Sequence, residues 1–177
     1  MFGNHFYHET IKRSVSVFGT MFNNISIKRP SGETMKVPLA YGPRTKWIAR
    51  LQQVPDPQAK ATALSLPRMG FELSSIDYDA TRKLGKKTQL KTANASNPLQ
   101  MQYQYSPYNL GFTLSIMVKN TDDGLQIIEQ IMPYFTPDYT VSINTVPDMG
   151  DKRDIPIVLS SIAQEDTYEG DMTTRQV

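Results

Sequence analysis

The stretch from Thr121 to Pro137, TDDGLQIIEQIMPYFTP, constrains the fold more than any other segment of the chain. Thr121 or Asp122 can cap a helix there, and Asp122 and Asp123 sit at its positive end, where anions are favoured. Leu125, Ile128, Ile131 and Met132 recur on one face, and Pro133 stops the run. Beyond it the chain resumes as two β-rich segments, DYTVSIN from Asp138 and IPIVLSSIA from Ile155, separated by a loop that holds Pro147 and Gly150. The pattern predicts a helix laid across strands.

Upstream, Ile11, Val15, Phe18 and Phe22 are spaced by four, three and four, which predicts a first helix over Glu9 to Phe22 with an inward stripe. Asn23 and Asn24 break it. The alternating segments ISIKR and TMKVPLAY flank Pro30-Ser31-Gly32-Glu33 and read as a β-hairpin. Gly42-Pro43 closes its second strand, and Arg44 to Gln53 follows as a short helix with Trp47, Ile48 and Leu51 inward, ended by Val54-Pro55-Asp56-Pro57. Residues 58–67 can be read as helix or as extended chain. Strands are predicted over Met69 to Tyr78 and over Leu110 to Lys119, the second with Phe112, Leu114, Ile116 and Val118 on one face. These strands are expected beneath the helix at 122–132. The order of elements indicates a single α+β domain, mainly antiparallel sheet packed by a few helices.

Between the two long strands, the segment 80–97 is polar, lacks acidic residues and contains Arg82, Lys83, Lys86, Lys87 and Lys91. It is expected to be an exposed basic loop. A loop of this length in a compact domain is a candidate for partner binding. A solvated surface, an acidic protein partner and passive contact with DNA all remain open for it, although no interleaved aromatics offer stacking to a single strand. Tyr103, Tyr105 and Tyr108, next to Pro107, can cap a core or join an interface.

Signs of catalysis are weak. His5 and His8 beside Glu9 could share a helix side, but the chain holds two histidines and no cysteine, so a fourth ligand is missing and no metal site is expected. Asp77 and Asp79 could share a strand face as an acid/base pair, or simply solvate a strand end. No glycine-rich phosphate loop and no Gly-x-Ser-x-Gly elbow occurs. No enzymatic activity and no cofactor is expected.

At 177 residues the chain can bury a sizeable core without staples. Its lack of cysteine fits a reducing compartment. No long charge-free apolar run suggests a membrane span or a leader. The net charge of +2 conceals a polarity. Basic and acidic residues number eight and two over residues 1–53, eight and four over 54–120, and three and eleven over 121–177. The acidic C-terminal third can pair within the monomer, or opposite charges can set the orientation of neighbours in an assembly.

Several runs, in order, resemble the tail sheath stabiliser family of T4-like contractile-tailed bacteriophages. They are the opening MFGNHFYHETIKRSVSVFGTMFNNISIKR, the segment Val37 to Tyr41, IIEQIMPYFTP, KRDIPIVLSSIAQED and the acidic EGD loop. The similarity brackets the chain from Met1 to about Asp171 and is less clear over Val54 to Tyr105. The resemblance implies a structural virion protein, assembled in the host cytoplasm, that forms a homo-hexameric ring at the head-proximal end of the tail. It also implies contacts with the tail sheath protein, the tail tube terminator and the neck proteins, with DNA passing through the ring. A tube terminator ring is the nearest alternative, and a nucleic-acid-binding module the more distant one. Family members continue past the acidic loop with further strands, which makes this sequence either a short member or a fragment.

Overall fold

The structure is a computed structural model that describes residues 3, 5, 7–52, 66–85, 87–94, 97–146 and 151–165. Helix α1 spans Thr10–Met21. It opens at Glu9, whose backbone is left-handed at φ 56 and whose carbonyl accepts the Arg13 N–H at 2.8 Å. Phe18 and Phe22 of the expected stripe are buried and Val15 is partly so, while Ile11 stays half exposed at the helix start.

The predicted hairpin forms from β1 (Ser26–Lys28) and β2 (Thr34–Lys36), with Ile27 opposite Met35. Gly32 supplies the positive φ of 86 that its turn requires. The second strand does not run on to Tyr41 as expected. Pro38 has no N–H to continue the ladder, so β3 (Leu39–Tyr41) leaves the hairpin and pairs in parallel with β4 (Arg68–Tyr78).

The crossover between β3 and β4 carries α2 (Arg44–Gln52). Its Trp47 is buried, donates Nε1–H to the Gly42 carbonyl at 3.2 Å and lies against Gly70 of β4. A Cβ at Gly70 would stand 2.7 Å from that ring nitrogen, so only glycine admits the tryptophan this closely. The Arg68 guanidinium covers the same ring at 4.5 Å. The expected stop at residues 54–57 and the ambiguous 58–65 lie outside the described residues.

Strand β4 pairs antiparallel with β7 (Tyr108–Met117) from Arg68↔Met117 to Tyr78↔Tyr108, with a bulge between Leu73 and Ser75, giving the sheet order β3-β4-β7. Period-two alternation places Met69, Phe71, Phe112, Leu114 and Ile116 on one face, which packs on α1. Phe18 stacks on Phe112 at 4.4 Å between ring centres and tilts against Phe71 and Phe22 at 5.4 and 5.0 Å.

Helix α3 (Thr121–Ile131) passes into a single 3₁₀ turn containing Pro133. Its N-cap is Asn120, extended and without a side-chain capping bond, and Thr121 is already helical. The inward face also differs from the expected one: Asp123, Ile127 and Ile131 are buried, whereas Leu125 and Met132 are each 49% exposed. The polar side chains decide this rotation. Gln126 Oε1 accepts the Lys28 N–H at 3.0 Å, Gln130 donates to the Ser26 carbonyl at 2.8 Å, and Asp123 meets Arg29 at 2.8 Å. Bonding to the β1–β2 hairpin turns Ile127 and Ile131 into the core and leaves the Leu125 edge outside.

The last two strands, β8 (Asp138–Val146) and β9 (Asp151–Val158), form an antiparallel hairpin apart from the main sheet. Residues 159–165, expected to prolong the strand, carry no ladder. A further hairpin, β5 (Gln89–Asn94) with β6 (Asn97–Tyr103), occupies much of the expected loop. Among the described residues the architecture is α+β, with three α-helices and mainly antiparallel pairing.

Candidate assembly surface

The excursion between β4 and β7 is a β-arm rather than a loop over 80–97. Its root is closed by backbone bonds from Asp79 N–H to the Pro107 carbonyl at 3.1 Å and from Gln104 N–H to the Thr88 carbonyl at 3.0 Å. Only the part up to Thr88 is irregular; from Gln89 the strands β5 and β6 pair with each other. Residues directly opposite in an antiparallel pair share a face, so Gln89↔Tyr103 and Lys91↔Met101 place these four side chains together. Tyr103 is 71% and Met101 59% exposed.

The structure separates the sequence candidates. Lys83 and Lys87 are exposed at the root, and Lys91 is exposed on the arm beside Met101 and Tyr103. Lys86 lies outside the described residues. Arg82 is committed to its own turn: its Nε donates to Asp79 Oδ2 at 2.6 Å and its Nη2 donates to Asn109 Oδ1. The tyrosines likewise divide. Tyr108 meets Tyr78 edge to face at 5.5 Å, and Tyr105 lies under the Arg153 guanidinium at 3.9 Å, tying the arm's exit to β9. Tyr103 alone of the three sits on the arm itself.

Neither acidic candidate has the setting of a catalytic pair. Asp77 accepts from Ser75 Oγ at 2.8 Å. Asp79 lies past the strand end, where Thr81 and Arg82 donate to it and hold its carboxyl well below the usual carboxylate range, the Thr81 hydroxyl foremost. A carboxylate lowered in this way favours the folded state above its ordinary pKa, and that contribution is lost progressively as pH falls from the ordinary carboxylate range into strong acid. Glu9 pairs with Lys12 at 3.0 Å, and among the described residues no three His, Cys, Asp or Glu side chains gather as metal ligands. Among them also, no helix is long and apolar enough to cross a membrane.

The charge polarity is partly answered within the chain. Arg29 pairs with Asp123 at 2.8 Å and Arg44 with Glu165 at 2.5 Å, each joining the basic first third to the acidic last third. The second pair anchors the far end of segment 159–165.

A second surface was not visible in the sequence. A groove of about 1010 Å³ runs along the whole of β7, an edge strand among the described residues, and is walled on its other side by α3, the β8–β9 hairpin and the segment after it. Leu125, Met132, Ile155, Ile157, Leu159 and Ile162 line it, and the first two are the residues left outside by the rotation of α3. The signal in the sequence is the excess of apolar positions over α3 and the start of the 3₁₀ turn that follows it. Five of them, at 125, 127, 128, 131 and 132, span more of the helix than one core stripe uses.

Comparison with known proteins gives two findings. The family model described as the T4-like virus Myoviridae tail sheath stabiliser matches residues 5–177. The tail completion protein gp15 of Enterobacteria phage T4 is 32% identical over 189 aligned residues, covering 99% of this chain and 68% of that protein. A match that takes in the arm, the groove and the core together means that the chain belongs to the tail sheath stabiliser family of T4-like myoviruses, structural proteins of the contractile phage tail.

Proposed function

We propose that this chain completes the head-proximal end of a contractile tail by closing, as a homo-hexamer, into a ring. The ring caps the tube through the tube terminator, holds the last row of sheath subunits and offers a surface to the neck proteins, while DNA passes through its centre. The observation that supports this reading is the family match over residues 5–177, which attaches the description to the whole chain and not to one borrowed segment.

The physical features suit such a role. Heterologous contacts that close a ring need two different, complementary faces on each copy. Here each copy carries the arm, with exposed Lys83, Lys87, Lys91 and Tyr103, and an apolar groove lined in part by α3 and β9, elements of the acidic C-terminal third. Adhesion and geometry are the mechanism, with no bond made or broken.

The test is direct localisation. Gold-labelled protein mixed with sheathed tails that lack it is expected at one end only in negative-stain images, and such tails are expected to keep their sheath after contraction is triggered. Label along the sheath, or at neither end, would contradict the reading.

A further inference from the structure

We propose that the β5–β6 arm of one copy seats in the groove beside β7 of the next, and that this arm-in-groove contact is what orients and closes the assembly. The inference rests on the ring reading above and names the residues of its contact.

Both partners of this contact are incomplete in the single chain. A two-stranded hairpin is marginal in water by itself, and among the described residues β5 and β6 pair only with each other while presenting Met101 and Tyr103 outward. On the other side, β7 bonds only to β4 among the described residues, so its outer edge is a row of backbone donors and acceptors with no strand beside it. Leu125, Met132 and Ile162, each about half exposed, stand at the groove's walls.

The dimensions agree. At roughly 3.4 Å per residue the arm extends about 20 Å, and the lining edge of β7 is longer still, so an extended hairpin fits lengthwise where a compact ligand would leave most of the groove empty.

Charge selects the occupant as another copy of this chain. Residues 79–103 hold five basic side chains against one acidic, and those that are described beyond Arg82, namely Lys83, Lys87 and Lys91, are exposed. Residues 121–165, which supply much of the outer wall, hold eight acidic side chains against two basic, and Asp122, Glu129, Asp138 and Asp154 are exposed on α3 and the β8–β9 hairpin. An apolar contact in the middle with opposite charges at its border fixes register and disfavours arm-to-arm or groove-to-groove pairing.

The lack of native cysteine makes the test clean. Met101→Cys is combined in one chain with Leu125→Cys, and separately with Ile162→Cys, and each is treated with a short bis-maleimide at concentrations where the unmodified protein assembles by mass. The expected result is a ladder of covalent oligomers on a denaturing gel from at least one double variant, and none from any single variant. Reversal of Lys83, Lys87 and Lys91 to Glu is expected to raise the concentration needed for assembly at least tenfold, and reversal of Glu129 and Asp154 to Lys on the same chain is expected to recover most of it. Assembly of normal mass with no ladder from either double variant, and no response to charge reversal, would overturn the arm-in-groove contact and leave the ring intact as a reading. Absence of any assembly, alone or on added tail tubes, would overturn both.

Discussion

Phe18→Ala is expected to cost about 3–5 kcal/mol of folding stability, the range for truncating a buried aromatic side chain. Phe18 is 8% exposed and touches three other rings, at the C-cap of its own helix, on β4 and on β7, so its removal takes contacts from both the helix and the sheet. Collapse around the hole is limited, because Gly19 already lies so close to Phe71 that even a Cβ there would stand 2.9 Å from its ring. For a domain of ordinary stability this is a large share of the total. Urea unfolding followed through Trp47, the single tryptophan, reports it well. The ring sits with α2 on the opposite face of the same sheet, so a midpoint shift seen there shows that both faces unfold together. A midpoint within experimental scatter of the parent would contradict the packing described.

Arg29→Ala is expected to cost about 3 kcal/mol, the low end for breaking a buried ion pair, since Arg29 keeps 31% exposure while Asp123 keeps 4%. The substitution strands a carboxylate whose Oδ2 has no hydrogen-bond partner among the described residues and whose Oδ1 depends on Arg29. Replacing both, as Arg29→Met with Asp123→Leu, is expected to restore most of the loss, because two apolar groups of similar size leave nothing unpaired. A thermal or urea double-mutant cycle measures the coupling. Losses that simply add would show that the pair does not hold α3 to the β1–β2 hairpin.

Much of this fold was legible in the sequence, and the exceptions have physical causes. Phe18 and Phe22 on α1, the Pro30–Glu33 turn, Trp47 on α2 and the alternation of Phe112, Leu114 and Ile116 all carry periodicities strong enough to stand without tertiary help. The parallel strand at Leu39–Tyr41 was not legible, since the partner that draws it away lies beyond α2 in sequence. The face of α3 is not legible, because apolar spacing fits two rotations and hydrogen bonds between Gln126, Gln130 and a distant hairpin choose between them. The arm is not legible locally, because Gln89 and Lys91 give no apolar alternation and its ladder comes from pairing with β6. Of the surface candidates, Lys83, Lys87, Lys91 and Tyr103 emerge on the arm or its root, while Arg82, Tyr105 and Tyr108 turn out to hold the arm to the body. The groove needed the fold itself, since no local pattern announces that a helix and a hairpin will leave one strand edge open.

Whether this chain is a ring component of the tail end is decided by the mass of the purified protein in solution, across concentrations and with purified tail tubes added, together with negative-stain images of the same samples. A closed ring of about six copies is expected, either free or on the tube end. A monomer under every one of these conditions would contradict it.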